Sequence, residues 1–406
     1  MKINKVNTFY LIKLVSSYTS QIASLLVVLF VSTEDYGKLA IIIALSQFIF
    51  ILSSGFTNGA MINIGSHRFQ KNGTYNDILC YRYIIAIAHF LLISALYVFF
   101  DDDISSLVGI DNILNLVLIL ALAYFIYEGG TQILYPTDSY RVQSYIELLT
   151  VVILLSLIVI NVKTFSDYIY SYLFVALISC SLTISYFCKT YLTRFSFNME
   201  EFKNVYKYSA WQLVSIFSIY ILNSSYSYIL LKFNYTQTDI GIFNFTMRLF
   251  LGMSGFFSLA LIVIPKIMHN KEKRLPSRMI NHLIIKSVLI LSLIYLSANF
   301  VLHYIMAYLD KNEYLESLEY MLYLSPAFMF MAYSNIMNTV LSNTNAYRYA
   351  QFVIAAQAII LVVLSLLFLD ALGINGLIFS YTGAYFFGMI ISYVIYRNNM
   401  DKLELT

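Results

Sequence analysis

Apolar and polar positions in this chain are sorted into long blocks. Apolar runs of about 20 residues, the length that crosses a bilayer as a helix, alternate with short polar stretches. Twelve runs stand out, at 9–31, 39–63, 80–100, 112–134, 144–162, 168–188, 208–231, 241–265, 282–306, 318–341, 350–370 and 375–396. The longest connections, 189–207 and 266–281, are too short to hold a folded domain. The pattern predicts an all-α integral membrane protein of about twelve transmembrane helices. Lys2, Lys5 and Lys13 ahead of the first run resemble the start of a signal peptide. The run from Phe9 to Val31 is longer than a signal core, however, and no small-residue cleavage site follows it, so it is expected to stay as the first spanning helix.

Short motifs recur at half the chain length. Glu34-Asp35-Tyr36-Gly37 precedes the second run, and Thr238-Asp239-Ile240-Gly241 precedes the eighth, with the glycines 204 positions apart. Thr137-Asp138-Ser139-Tyr140-Arg141 follows the fourth run, and Thr344-Asn345-Ala346-Tyr347-Arg348 follows the tenth, 207 positions on. A shift of six helices preserves topology, so the halves read as parallel repeats about an axis along the membrane normal. The expected lobes are 1–197 and 198–406, arranged around a central cavity.

Charge sets the orientation. With the N-terminus in the cytoplasm, eighteen of the 25 Lys and Arg residues fall on the inner side and four on the outer, while Glu34, Asp35, Asp101, Asp102, Asp103, Asp111, Asp239 and Asp310 fall outside. By the positive-inside rule both termini are cytoplasmic.

Composition narrows the class. The chain is 60% hydrophobic and 12% charged, with mean hydropathy +0.73. So little charge cannot cover a 406-residue globule, so the apolar surplus faces lipid. A net charge of +3 gives no footprint for nucleic acid. The three cysteines, Cys80, Cys180 and Cys188, match no metal spacing and read as packing thiols. No P-loop, metal-ligand cluster or nucleophile motif is present, so no cofactor and no metal is expected.

Polar residues inside the runs carry the candidate chemistry. Lys13, Ser16, Ser17, Ser20, Gln21 and Ser24 form one helical stripe, as do Tyr220, Ser224, Ser227 and Tyr228 in the seventh run, and three of these positions correspond at the 204 shift. Gln47, Ser54 and Asn58 share a face of the second. Singly, such residues serve helix packing; the paired stripes favour a water-accessible cavity. Arg248 lies about seven residues into its run, on the order of 10 Å deep. Gly252 and Gly255 continue its face. It fits either a fixed cation gripping an anionic substrate such as a phosphate or an ion pair with Glu128 or Glu147. Lys286 lies closer to the cytoplasmic end of its run, and Lys13 and Arg82 closer still, as a basic vestibule or as helix-end anchors. His89 could titrate in proton coupling or serve as a hydrogen-bonded structural group. Glu128, Asp138 and Glu147 could relay protons or balance Arg141. Pro326 is expected to kink the tenth run.

These features resemble a known family. The Glu34-Asp35-Tyr36-Gly37 turn, the Ser54-Gly55-Phe56-Thr57-Asn58-Gly59-Ala60 segment and Met247-Arg248-Leu249 are similar to bacterial O-antigen flippases of the Wzx type, within the multidrug/oligosaccharidyl-lipid/polysaccharide exporter superfamily. The resemblance implies translocation of an undecaprenyl-diphosphate-linked oligosaccharide from the cytoplasmic to the periplasmic leaflet of the bacterial inner membrane. It implies alternating access of the two lobes, ion-gradient coupling, and, as partners, the lipid-linked substrate, membrane lipids, and the polysaccharide polymerase and chain-length machinery. Two alternatives stay open: a drug or cation antiporter of the same fold, which would favour a cavity carboxylate over Arg248, and a polytopic membrane enzyme of glycan assembly, against which the short outer loops argue.

Overall fold

The computed structural model describes residues 22–110, 112–137, 139–191, 197–254, 277–342 and 347–399, and every regular element among them is helical. The helices are α1 (Thr33–Ser53), α2 (Asn58–Asn72), α3 (Asn76–Phe99), α4 (Asp101–Val108), α5 (Ile113–Thr131), α6 (Tyr140–Asn161), α7 (Phe165–Tyr191), α8 (Met199–Lys232), α9 (Gln237–Ser254), α10 (Ser277–Tyr308), α11 (Leu315–Tyr323), α12 (Ser325–Ser342), α13 (Tyr347–Leu372) and α14 (Ile374–Asn399). Among the described residues nine helices are long and apolar enough to cross a membrane. The run expected at 9–31 lies largely outside the described residues. That at 241–265 corresponds to α9, whose continuation is likewise outside them.

Two expected spans are divided. The run at 39–63 stops at Ser53, passes through a 3-10 turn at Gly55–Thr57 and resumes as the polar helix α2. No proline is responsible. Ser53 Oγ donates to the Phe50 carbonyl (3.1 Å) and Thr57 Oγ1 to that of Ser54 (2.7 Å), each beside the backbone N–H that the carbonyl already accepts, from Ser54 and Thr57, so side-chain hydroxyls reinforce the turn. The run at 318–341 divides at Leu324, two residues before Pro326, whose ring removes an N–H donor from the next turn.

The chain forms two compact units, Met1–Tyr220 and Ile221–Thr406. The division falls within α8, the first half of which packs with α2 and α3: Val205 joins Phe56, Ala60, Ile78, Tyr81 and Ile85 in one apolar cluster. A second cluster gathers Met61, Tyr75, Ile133, Leu134 and Phe187. In the other unit, Ile284, Ile336, Met337, Leu341, Ala350 and Tyr396 pack together. The opposite faces stay apolar and exposed. α10 presents Leu289, Ile290, Leu293, Phe300, Val301 and Tyr304 outward, a surface that lipid rather than water must cover.

The repeat has a structural counterpart. Ser32 caps α1 by accepting from the Asp35 N–H (3.1 Å), and Thr236 caps α9 by accepting from the Asp239 N–H (3.2 Å). Asp239 in turn accepts from the Thr236 N–H (3.0 Å), a reciprocal cap. Each of these helices is then pinned by a hydroxyl to the fourth span of its half. Ser46 reaches the carbonyls of Ile42 (2.7 Å) and Val117 (2.9 Å); Thr246 reaches those of Ile242 (3.3 Å) and Ser317 (2.9 Å). All three positions of the pin are shifted by 200, whereas the caps are shifted by 204. The second half is therefore one helical turn shorter between cap and pin.

The α13–α14 turn is tight. Gly373 takes a left-handed conformation (φ +62°) and its N–H closes on the Leu369 carbonyl (2.9 Å). A Cβ at Gly376 would strike the backbone carbonyl of Phe368. Gly376→Ala is expected to cost about 1–3 kcal/mol, read as a lowered melting temperature in detergent. An unchanged melt would show that the turn has slack that these contacts do not reveal.

Candidate functional site

In the first unit the polar centre is built around Arg82 of α3. Its side chain is 1% exposed, although the sequence places it near the cytoplasmic end of its helix. The turn at Gly55–Thr57 redirects the chain so that α2 covers it. Nε donates to Thr57 Oγ1 (3.3 Å), Nη2 to Asn58 Oδ1 (2.5 Å), and Nη1 to the Gly129 carbonyl of α5 (3.3 Å) and Met61 Sδ (2.9 Å). The Tyr83 hydroxyl donates to the same Gly129 carbonyl (3.1 Å), and Glu128 lies within electrostatic reach of the guanidinium. One fork thus spans three elements at the site of the helix break. α5 can approach α7 closely here because residue 130 is glycine: a Cβ there would sit 3.0 Å from Cys180 Cα.

Asn58 is therefore a ligand of Arg82, half-buried rather than open. Glu147, on α6, is buried (5% exposed) and accepts from the Tyr135 hydroxyl (2.6 Å). Around Glu128 and Glu147 stand rings of α5 and α7: Tyr124 and Tyr127 pack on Tyr172 with centroids 5.2 and 5.8 Å apart. His89 faces the Leu52 carbonyl through Nδ1 (3.2 Å) and stacks on Phe56 (5.1 Å). A carbonyl only accepts, so in this contact Nδ1 is the donor.

In the second unit Arg248 is half-buried on α9. Asn244, one turn earlier on the same face, accepts from the Tyr226 hydroxyl, and Tyr226 lies within electrostatic reach of Arg248. Tyr226 also packs edge-on against Phe243 (5.6 Å). Asn244 and Tyr226 thus set a neutral hydrogen-bonded pair near Arg248. Ser224 is buried at 7% exposure on α8. Tyr220, from the same stripe, is buried and donates to the Ala44 carbonyl of α1 (3.0 Å). Lys286 is exposed on α10 among the exposed Ile285, Leu289 and Ile290, so its stem lies along an apolar face. Lys13, Gln21, Asp138 and Gly255 lie outside the described residues.

The structure thus brings Arg82, Asn58 and Glu128 together in the first unit, and in the second it places Lys286 on the exposed face of α10. Sequence reasoning missed Thr57, Met61 and Gly129 around Arg82, and Asn244 and Tyr226 beside Arg248. Asn244 could have been found from its i−4 spacing to Arg248; the carbonyl of Gly129 leaves no sequence signal. Elsewhere in the first unit, Arg68 of α2 pairs with Asp77 of α3 (2.7 Å) and with Glu201 of α8. The hydrogen bond it donates to Glu201, with the charge of Asp77, raises its pKa above the ordinary arginine value.

No family model matches the chain, and no curated protein does. Solved structures do resemble it. An inward-facing multidrug-resistance MATE family transporter of the MOP superfamily shares 13% identity at a TM-score of 0.68, over 95% of each chain. The lipid II flippase MurJ, in an inward closed conformation, shares 15% at 0.70, over 95% of this chain and 87% of that one. The MATE multidrug transporter DinF-BH shares 11% at 0.66, over 97% and 95%. At such identities the likeness is one of fold. With the span-length helices it makes this chain an all-α, multi-pass membrane protein of the MATE/MurJ-like transporter fold.

Proposed function

We propose that the chain is a flippase that carries an undecaprenyl-diphosphate-linked oligosaccharide, an O-antigen or related repeat unit, from the cytoplasmic to the periplasmic leaflet of a bacterial inner membrane. The observation that carries this reading is Arg248: a half-buried guanidinium on α9, with Asn244 one turn earlier and Tyr226 within electrostatic reach. A cation is costly in a membrane, and a planar fork matches the oxygens of a diphosphate. Tyrosine-rich walls suit sugars. The lipid tail stays in the bilayer while the headgroup crosses, by alternating access driven by an ion gradient. Both termini are cytoplasmic, the work is transport rather than catalysis, and the polymerase and chain-length machinery act on what is delivered. That one of the similar folds belongs to a lipid II flippase supports the class of cargo.

A second reading, export of an organic cation, draws on the buried Glu147 and the tyrosines around it, and on the multidrug transporters of similar fold. Deleting the gene separates the two. The flippase reading predicts loss of surface polysaccharide with a complete lipid-linked precursor retained in the inner leaflet. Intact polysaccharide with new drug sensitivity would favour the antiporter, and a truncated precursor would point to an enzyme.

A further inference from the structure

Helix α8 is longer than a membrane is thick. Its 34 residues rise about 51 Å, against a hydrocarbon core of about 30 Å. Counting about 20 residues back from Lys232 leaves roughly the first dozen residues outside the core, with Trp211 at the boundary. One face of this projecting segment is held by protein: Arg68 pairs with Glu201, Asn63 donates to the Tyr208 hydroxyl (2.8 Å), and the Asn198 N–H donates to the Tyr81 hydroxyl (2.7 Å). Val205 and Ser209 are buried at 2% and 0%. The opposite stripe, spaced at helical intervals, is Lys203, Lys207, Trp211 and Val214. Both lysines are exposed, Trp211 is 64% exposed and Val214 56%.

That order along one face runs from charged to aromatic to aliphatic, which is the order of a membrane interface read from headgroup to acyl chain. Glu200, the exposed acid nearby, sits in the first turn with its N–H on Asn198 Oδ1 (2.9 Å), beyond the lysines. We propose that this stripe is a binding site for an anionic phospholipid, with Lys203 and Lys207 on the phosphate and Trp211 against the glycerol and upper acyl carbons. By holding α8 against a lipid headgroup, the site fixes the depth of the helix on which the two units meet in sequence. It rests on the multi-pass reading and on the orientation given by charge, not on the identity of the cargo.

Trp211 is the chain's single tryptophan, so its fluorescence reports this site alone. The full chain is reconstituted in vesicles of phosphatidylglycerol and phosphatidylcholine, with bromine placed high on the acyl chains of one lipid or the other. Brominated phosphatidylglycerol is expected to quench Trp211 more strongly than the same fraction of brominated phosphatidylcholine. The preference should fall about fivefold for each of Lys203→Gln and Lys207→Gln, while quenching by uniformly brominated vesicles persists, showing that the helix is still folded and at the same depth. Equal quenching by the two lipids, a preference that survives the double substitution, or a Trp211 that no lipid quenches would each overturn the proposal. Flipping activity enters none of these readouts, so failure here and failure of the flippase reading are separable.

Discussion

Replacing Arg248 by alanine is expected to abolish export and to leave the chain inserted and folded. The guanidinium can offer two parallel hydrogen bonds to phosphate oxygens, and charged hydrogen bonds contribute about 1.5–3 kcal/mol each. Loss of one such bond alone costs about 10- to 150-fold in affinity, and the alanine removes both. The half-buried Arg248 lies on α9, which is also held by the Thr236–Asp239 cap and the Thr246 pin to Ser317. A melting temperature close to wild type should therefore accompany the loss. Lysine keeps the charge without the fork and should recover part of the activity, while glutamine should recover none. Normal export by Arg248→Ala, measured as surface polysaccharide in cells lacking the native gene, would remove the residue from the mechanism.

The second large effect falls on stability. Arg82→Met keeps the length of the side chain but leaves Asn58 Oδ1 and Thr57 Oγ1 without their donor and the Gly129 carbonyl with Tyr83 alone. It also takes the guanidinium charge away from Glu128. Breaking one side of a buried charged network costs about 3–5 kcal/mol. The expected result is a clearly lowered melting temperature in detergent, with the break at Gly55–Thr57 loosened first. Adding Glu128→Gln to Arg82→Met should restore part of the loss, since the pair couples through charge. A melt unchanged by Arg82→Met would mean that α2, α3 and α5 hold together without the fork.

The sequence reading reached the fold because a bilayer imposes a length. An apolar run must be about 20 residues long to span, and nine of the resulting helices satisfy that rule among the described residues. The repeat was visible in Glu34-Asp35-Tyr36-Gly37 and Thr238-Asp239-Ile240-Gly241, whose aspartates take part in the caps made by Ser32 and Thr236, residues the motifs did not include. Its one-turn shift at the Ser46 and Thr246 pins was not, since a serine inside an apolar run carries no mark of its partner. The break after Ser53 escaped notice for a similar reason: hydropathy continues across it, and the 3-10 bond from the Thr57 N–H to the Ser54 carbonyl that closes the turn has no mark in the sequence. Depth along a helix located Arg82 and Arg248 in sequence but said nothing of cover. Arg82 lies under α2 and is closed off, whereas Arg248 is half-open beside Asn244 and Tyr226. Cover depends on which other helix passes over a residue, and that is a property of tertiary packing.

The most direct test of the central claim is flipping itself. The purified chain is reconstituted in vesicles with an undecaprenyl-diphosphate-linked oligosaccharide in one leaflet, and the sugar's access to an external lectin is followed with and without an ion gradient. Transfer of the intact lipid-linked sugar to the other leaflet by the wild type, lost in Arg248→Ala, is the predicted result. No transfer under any gradient, or a sugar chemically altered instead of moved, would contradict the account.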